Sequence, residues 1–458
     1  MDLKPLFEPK TMAVIGVSLH NDLNPANVIY YKNFLRYPVD TYAVNPKAGL
    51  LKGQRAFSSI AELPVKIDLA VIAAQAERVP AILEDCIKAG VGGAAIISGG
   101  FAETGRADLQ ERIVAIAREA DFPFIGPNCL GLYSQGRMDT FFIPTERMGT
   151  PKKGNVAMIS QSGGILVDQM IRFSSEGVGM SLGVSIGNKA VLKEKDLLAY
   201  MAADPETQVI AFYIEGFSEN EGHDFMELAQ RVGKPVVVLK AGKSPGATTA
   251  ITSHTASLAG DYAIFSSVLS QYGLVEAKNM SEFVYFCQGL SAYQRSNQGR
   301  LGIITASGGH GALALDLCME MGLSVPTLHE IEQDAIRRLL SPTIKPIASC
   351  MNPIDVTGSA VDQDFVAAAM TMGMHPEIDC LVALILPYAP GITQDLGAIL
   401  GSVPRRSGKP LIAYVARLDK YRILIEGFEL NGVPVAHSIE GAIHMAQALM
   451  KYKGAARA

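Results

Sequence analysis

Ala157-Met-Ile-Ser160-Gln161-Ser162-Gly163-Gly164-Ile165 decides how this chain is read. An apolar run stops at a serine, four small or polar residues follow, and an amphipathic pattern begins at Gly164. That is a buried strand, a tight turn and the start of a helix. The first N–H groups of a helix lack intrahelical partners, and the positive end of its dipole faces the turn, so an anion fits there. Glycine lets the anion approach the backbone, and serine adds hydroxyl donors. Small residues at such a turn also serve close packing alone, and that second reading stands beside the first.

Working outward, the same alternation recurs. Strands are predicted at Val156–Ile159, Gly179–Val184, Val209–Ile214 and Val236–Lys240, with helices from Gly164, near Glu194–Ala203 and near Asp224–Val232. Towards the start, Met12–Gly16, Thr41–Val44, Leu69–Ala73 and Gly93–Ile97 read as strands, with helices over Val79–Ala89 and Asp108–Ala120. Towards the end, Leu301–Thr305, Leu381–Leu386 and Leu411–Tyr414 read as strands, and Gly311–Met321 as a helix. Short, almost wholly apolar strands between helices predict parallel sheets covered on both faces, joined by right-handed crossovers. Ser134 to Asn155 is polar and carries prolines, so it reads as a linker; Tyr293 to Arg300 is a second soft boundary. Three α/β domains are expected, over 1–133, 154–292 and 298–458.

Composition narrows the function classes. The 458 residues are 48% hydrophobic and 19% charged, with a net charge of -5 and no long block of one sign. That disfavours nucleic-acid and membrane-surface partners, which need basic patches. Six well-separated cysteines, without a C-x-x-C pair, read as reduced thiols of a cytoplasmic protein. The histidines lack metal-ligand spacing, so no metal site is expected. No apolar run is long enough to span a bilayer, and no leader segment is apparent at the start.

Two further strand-to-helix turns carry small residues: Val14-Ile-Gly16-Val17-Ser18, and Ile303-Ile-Thr-Ala-Ser307-Gly308-Gly309-His-Gly311. The second turn, with Ser160 to Gly164, makes a similar pair in successive domains, a candidate for holding one phosphate from two sides. No P-loop pattern and no G-x-G-x-x-G are present. In Ile251-Thr-Ser-His254-Thr-Ala-Ser-Leu-Ala-Gly260, a histidine stands among hydroxyl and small residues. Such an imidazole suits a nucleophile or phosphate carrier, though an ordinary loop histidine has the same surroundings. Glu215, in Tyr213-Ile-Glu215-Gly216, closes an apolar strand. It is placed either to orient an imidazole through its ring N–H or simply to be solvated.

Taken together, these segments resemble the α subunit of the NDP-forming acyl-CoA synthetases, typified by ADP-forming acetyl-CoA synthetase and related to succinyl-CoA synthetase. The resemblance rests on Val14–Ser18, Val44-Asn45-Pro46-Lys47, Ile97-Ser98-Gly99-Gly-Phe101, Ile125-Gly-Pro-Asn128-Cys-Leu-Gly131, Ile159–Gly164, Ser185-Ile-Gly-Asn-Lys189, Asp204-Pro-Glu-Thr207, Tyr213–Gly216, Lys240-Ala-Gly-Lys243, Ser253–Gly260 and Asn352-Pro-Ile-Asp355, in the family's order along nearly the whole chain.

The resemblance implies a Rossmann-like CoA-binding domain followed by two flavodoxin-like domains of the succinyl-CoA-synthetase type. It implies that Gly16, Val17, Ser18, Asn45, Pro46, Lys47, Ser98, Gly99 and Asn128 line the coenzyme A site. Ser160, Gln161, Ser162, Gly163 and Gly164, with Ser307, Gly308 and Gly309, would cradle the phosphate carried by His254, and Glu215 would orient that histidine. The implied reaction converts a small carboxylic acid, ATP and CoA to acyl-CoA, ADP and phosphate through a phosphohistidine and an acyl phosphate. No ATP-grasp segment is present, so ATP, ADP and Mg²⁺ are expected on a β subunit, in an α₂β₂ assembly. Three positions depart from the family's usual residues: Ala26 and Ala256 stand for glycine, and Val191 for aspartate. A non-catalytic, CoA-binding regulatory homologue is the alternative, disfavoured because both His254 and Glu215 are kept.

Overall fold

The computed structural model describes residues 1–218, 220–247 and 261–454. Two compact units divide at Glu276 and Ala277. The first unit holds two seven-stranded sheets and the second a five-stranded sheet. Most strands are short, apolar and buried along their whole length, the condition for sheets covered on both faces.

The first sheet contains β1 (Thr11–Ile15), β2 (Asp40–Val44), β3 (Gly49–Leu51), β4 (Gln54–Phe57), β5 (Leu69–Ile72), β6 (Gly93–Ile96) and β7 (Phe124–Ile125). Their order is β3-β4-β2-β1-β5-β6-β7, parallel except for the β3–β4 hairpin. The second sheet contains β8 (Gly131–Ser134), β9 (Met138–Asp139), β10 (Lys153–Ser160), β11 (Met180–Ser185), β12 (Val209–Ile214), β13 (Val236–Lys240) and β14 (Val275–Ala277), in the order β14-β13-β12-β10-β11-β8-β9. From β10 onward this is the flavodoxin-like order 2-1-3-4-5. The two sheets share a hydrophobic core, in which Val14 and Val71 belong with Leu132, Ile159 and Phe212.

The stretch read as a linker begins inside this second sheet. Gly131–Ser134 pairs antiparallel with β11, and Met138–Asp139 pairs antiparallel with β8. Polarity concealed β9 because the polar groups of Asp139 are satisfied internally. Asn33 accepts from the Asp139 amide at 2.9 Å and donates to its carbonyl at 2.7 Å, and Lys32 Nζ donates to Asp139 Oδ2 at 2.9 Å. Polar side chains matched in this way can be buried without the usual penalty.

The second unit contains β15 (Leu301–Thr305), β16 (Ile354–Asp355), β17 (Cys380–Ile385), β18 (Leu411–Val415) and β19 (Val435–Ala436), in the order β16-β15-β17-β18-β19. All neighbouring pairs are parallel, again in the flavodoxin-like order. The helix Met280–Ala292, read from sequence as the end of the middle domain, belongs to this unit. Gln288 Nε2 donates to the Val435 carbonyl at 3.0 Å, and Gly289 packs on Met445 so closely that a Cβ would meet Met445 O at 2.9 Å.

One rule places the candidate sites. The strands β1, β10 and β15 each open their own sheet's parallel core, and the chain then turns to opposite sides of them. The carboxyl end of such a strand is a topological switch point, where open α/β sheets leave a crevice. Gly16, Ser160 and Thr305 stand at or just beyond those three ends.

Candidate active site

At the end of β10, Ser162 caps the helix Gly163–Ser175, its side chain accepting from the Ile165 amide at 3.4 Å. Ser160 Oγ donates to the Ser162 carbonyl at 2.6 Å and accepts from its amide at 3.1 Å, which fixes the turn. The helix N-terminus opens on a cavity of about 530 Å³ lined by Ser162, Gly163, Gly164 and Glu215, and also by Ile97, just after β6, and Asn128, in the connection from β7 to β8. A second cavity of about 250 Å³ shares Gln161, Asn188 and Glu215 with it and adds Arg118, Lys189 and Lys193.

Glu215 follows the last residue of β12 and is only 8% exposed. Burial and the Glu215 carboxylate, which is hydrogen-bonded to Tyr213, push the Tyr213 phenol far above its ordinary range. Lys240 Nζ donates to the Glu215 carbonyl at 2.7 Å, and burial lowers the Lys240 ammonium pKa while the nearby Glu215 charge opposes that shift. Lys189 Nζ donates to the Gly216 carbonyl at 2.8 Å and to Glu194 Oε1 at 3.1 Å. Glu194 is wholly buried; desolvation raises its pKa, with Lys189 pulling the other way.

At the end of β1, Gly16 has φ +105°, and a Cβ there would lie 2.1 Å from the Ala73 carbonyl oxygen. Only glycine allows this approach. Gly16, Asn45 and Pro46 line a separate cavity of about 410 Å³, with Ser58, Gln75 and Arg78 also on its wall. Several expected ligand residues here also shape the backbone. Asn45 Nδ2 donates to the Val17 carbonyl at 2.6 Å, and Ser98 Oγ bridges the Ala74 carbonyl and amide at 2.6 and 3.0 Å. Ser18 Oγ accepts from the Asn21 amide at 3.0 Å, Val17 is buried, and Lys47 is exposed. Gly99 lies against Asn128, whose Nδ2 donates to Asn188 Oδ1 at 3.3 Å.

In the second unit, Thr305 Oγ1 donates to the Ser307 carbonyl and accepts from its amide, both at 3.1 Å. This repeats the Ser160–Ser162 pattern at the start of the helix Gly308–Glu320. Here Ser307 makes no side-chain cap, and Asp355 Oδ2 stands near Gly308, 3.4 Å from where a Cβ would be. His254 lies outside the described residues. Sequence reasoning did not single out Lys189, Glu194, Lys240, Arg78 or Gln75. The available signal for the two lysines was a cation at or just beyond a strand end beside glycine, in Gly187-Asn-Lys189 and Lys240-Ala-Gly242.

A CoA-binding domain model matches residues 10–135, and a succinyl-CoA ligase-like flavodoxin domain model matches residues 153–290. The α subunit of acetate–CoA ligase [ADP-forming] II from Pyrococcus furiosus is 34% identical, over 97% of this chain and 96% of its own. The chain belongs to the ADP-forming acetate–CoA ligase family. Acetate–CoA ligase [ADP-forming] I of Archaeoglobus fulgidus is 36% identical over 84% of this chain, which spans only 55% of that longer family member. A solved structure of the dinucleotide-forming acetyl-coenzyme A synthetase 1 from Ca. Korarchaeum cryptofilum, in complex with phosphate and ADP, superposes with a TM-score of 0.87 at 30% identity, covering 98% of this chain and 97% of that one. Among ADP-forming ligases the chain corresponds to the α-subunit portion, and the catalytic reading is favoured over the regulatory alternative. No helix among the described residues is long and apolar enough to cross a membrane.

Proposed function

We propose that this chain is the α subunit of a cytoplasmic ADP-forming acyl-CoA synthetase, converting a small carboxylic acid, ATP and CoA to acyl-CoA, ADP and phosphate. The observation that carries the reading is one cavity lined both by Glu215 and the Ser162–Gly164 helix start and by Ile97 and Asn128, from the region that the CoA-binding domain model matches. On this reading, anion binding and thioester binding meet in one crevice.

CoA would lie with its nucleotide end at Gly16, Asn45, Pro46 and Arg78 and its thiol end near Asn128. Lys47, exposed beside that cavity, supplies a point charge for its phosphates. In the thioester-consuming direction, a phosphate oxygen attacks the acyl carbonyl, the C–S bond breaks and CoA leaves as its thiol. The neutral His254 imidazole then attacks phosphorus of the acyl phosphate, and the carboxylate departs as the P–O bond breaks. Glu215 accepts the other ring N–H, which fixes the tautomer and stabilises the charged imidazole. The N-terminal amides of the helix Gly163–Ser175 stabilise the phosphoryl oxygens. The turn Ser307–Gly309 is a second anion site of the same construction. ATP, ADP and Mg²⁺ would be held by an ATP-grasp β subunit in an α₂β₂ assembly, which passes phosphoryl groups to and from His254.

Incubation of the full chain with acetyl-CoA and inorganic phosphate, followed by intact-mass analysis, tests this. Wild type is expected to gain one acid-labile phosphoryl group; His254→Ala is expected to gain none and Glu215→Gln to gain it far more slowly. Folded wild type that stays unmodified with acetyl-CoA and with longer acyl-CoA thioesters would overturn the proposal. ATP is expected to label the chain only when the β subunit is added.

A further inference from the structure

The corner Glu215–Gly216 is held by side chains rather than by its sheet. Gln161 Oε1 accepts from the Glu215 amide at 2.6 Å and from the Gly216 amide at 3.1 Å. Gln161 Nε2 donates to the Gly216 carbonyl at 2.7 Å and to Glu194 Oε1. A carboxamide has two donor hydrogens and two acceptor lone pairs, so all four positions of Gln161 are occupied. The assignment of its oxygen and nitrogen is unambiguous, since exchanging them would oppose like groups at every contact. The side chain has nothing left to offer a phosphate, which removes Gln161 from the phosphate cradle expected from sequence and gives it another task.

The two carbonyls of the corner are held by buried ammonium groups: Glu215 O by Lys240 and Gly216 O by Lys189. Lys189 in turn depends on Glu194, which it meets at 3.1 Å, while Glu221 lies at 3.9 Å. Its backbone is in the left-handed region at φ +46°, a conformation that non-glycine residues hold only when their surroundings impose it. The neighbouring Gly187 enforces the path, since a Cβ there would lie 2.3 Å from the Pro127 carbonyl oxygen. Three segments of chain, at the ends of β10, β11 and β13, therefore converge on the two peptide units that follow β12.

We infer that Gln161, Lys189 and Lys240 are positioning residues that clamp the backbone of Glu215–Gly216, and so set the direction in which the Glu215 carboxylate meets its imidazole partner. This rests on the phosphohistidine reading above. None of the three touches the reacting atoms; they act through Glu215. Misplacing a catalytic group by about 1 Å costs on the order of 10²-fold in rate, which sets the size of the expected effect.

The test uses the full chain with acetyl-CoA and phosphate, following single-turnover phosphorylation of His254 by rapid quench, with CoA affinity measured separately. Gln161→Leu keeps the bulk of the side chain and removes all four hydrogen bonds. It is expected to slow phosphorylation by about 10²-fold, with CoA affinity unchanged within about twofold. Adding Gln161→Leu to Glu215→Gln is expected to slow the reaction little beyond Glu215→Gln alone, because a merely structural defect would add to the loss while a positioning defect would not. Should Gln161→Leu fail to fold, the charge-removing pair Lys189→Met with Glu194→Gln serves the same comparison, since it leaves no unpaired buried ion. Wild-type speed in a folded clamp variant, or full additivity with Glu215→Gln, would overturn the inference while leaving the phosphohistidine intact. Absence of phosphohistidine in wild type would instead remove the reading on which it stands.

Discussion

Lys32 Nζ sits 2.9 Å from Asp139 Oδ2, with both side chains almost wholly removed from water. The pair ties the helix Pro25–Arg36, which covers the first sheet, to the edge strand β9 of the second. Lys32 also donates to the Phe141 carbonyl at 2.7 Å. Removing one charge leaves the other buried and uncompensated, so Lys32→Met should destabilise the first unit by about 3–5 kcal/mol. The double variant Lys32→Met with Asp139→Leu should recover most of that loss. The chain has no tryptophan, so urea unfolding followed by circular dichroism is the suitable measurement. Equal instability of the single and double variants would count against the account.

Gly16→Ala should separate ligand binding from simple helix or strand propensity. The added Cβ meets a backbone oxygen, and φ at this position is already positive. A shift of the turn follows, with a stability cost of about 1–3 kcal/mol and loss of CoA binding by calorimetry. Gly53→Ala is the control, because φ is also positive there but nothing lies within 4 Å of the added carbon. It should cost stability without touching CoA affinity.

The two serine turns should respond differently to alanine. Ser162 caps its helix and Ser307 does not. Ser162→Ala should therefore lower stability by about 0.5–1 kcal/mol and slow His254 phosphorylation. Ser307→Ala should leave the melting temperature nearly unchanged, so any effect it has on turnover reports on the anion alone. Matching stability losses in the two variants would contradict the capping difference.

Glu103 predicts an acid-range dependence. Burial alone would raise its carboxyl pKa, but the Asn188 amide and the backbone N–H groups of Gly100 and Phe101 outweigh it and hold the group below the usual carboxylate range. Asn188 donates at 2.5 Å from the loop after β11, so the carboxylate joins the two sheets' loops. A folded-state pKa below the unfolded value of roughly 4.3 means stability that is complete above that pH and lost as pH falls through the folded value. The stability gap between wild type and Glu103→Gln should accordingly shrink between pH 6 and pH 3 in thermal melts. A gap that widens on acidification would reverse the assignment.

The elements that were legible in the sequence are those whose pattern is local. Glu194–Ala203, Val209–Ile214, Val236–Lys240 and Leu301–Thr305 coincide with the observed elements, because strand apolarity and helix amphipathicity are properties of a few adjacent residues. The turns at Gly16, Ser160 and Ser307 were legible for the same reason. What escaped depends on partners far along the chain. The strand β9 looked like linker because Asn33 and Lys32, on another element, satisfy the polar groups of Asp139. Gln161 looked like a phosphate donor because its four partners lie on residues 194, 215 and 216. Lys189 and Lys240 appeared only within longer matching segments, since a cation beside glycine has no meaning until the carbonyls it holds are known.

The chain leaves the first sheet at Ile125 and enters the second at Gly131, with Asn128 between them on the cavity wall. So short a covalent bridge acts as a ruler. On the proposed binding mode, CoA would reach past this bridge from the Gly16 crevice to the Ser162 crevice, so its length would matter as well as its end groups. A fragment carrying only the nucleotide, or only the thiol arm, would fill one crevice and leave the other to water.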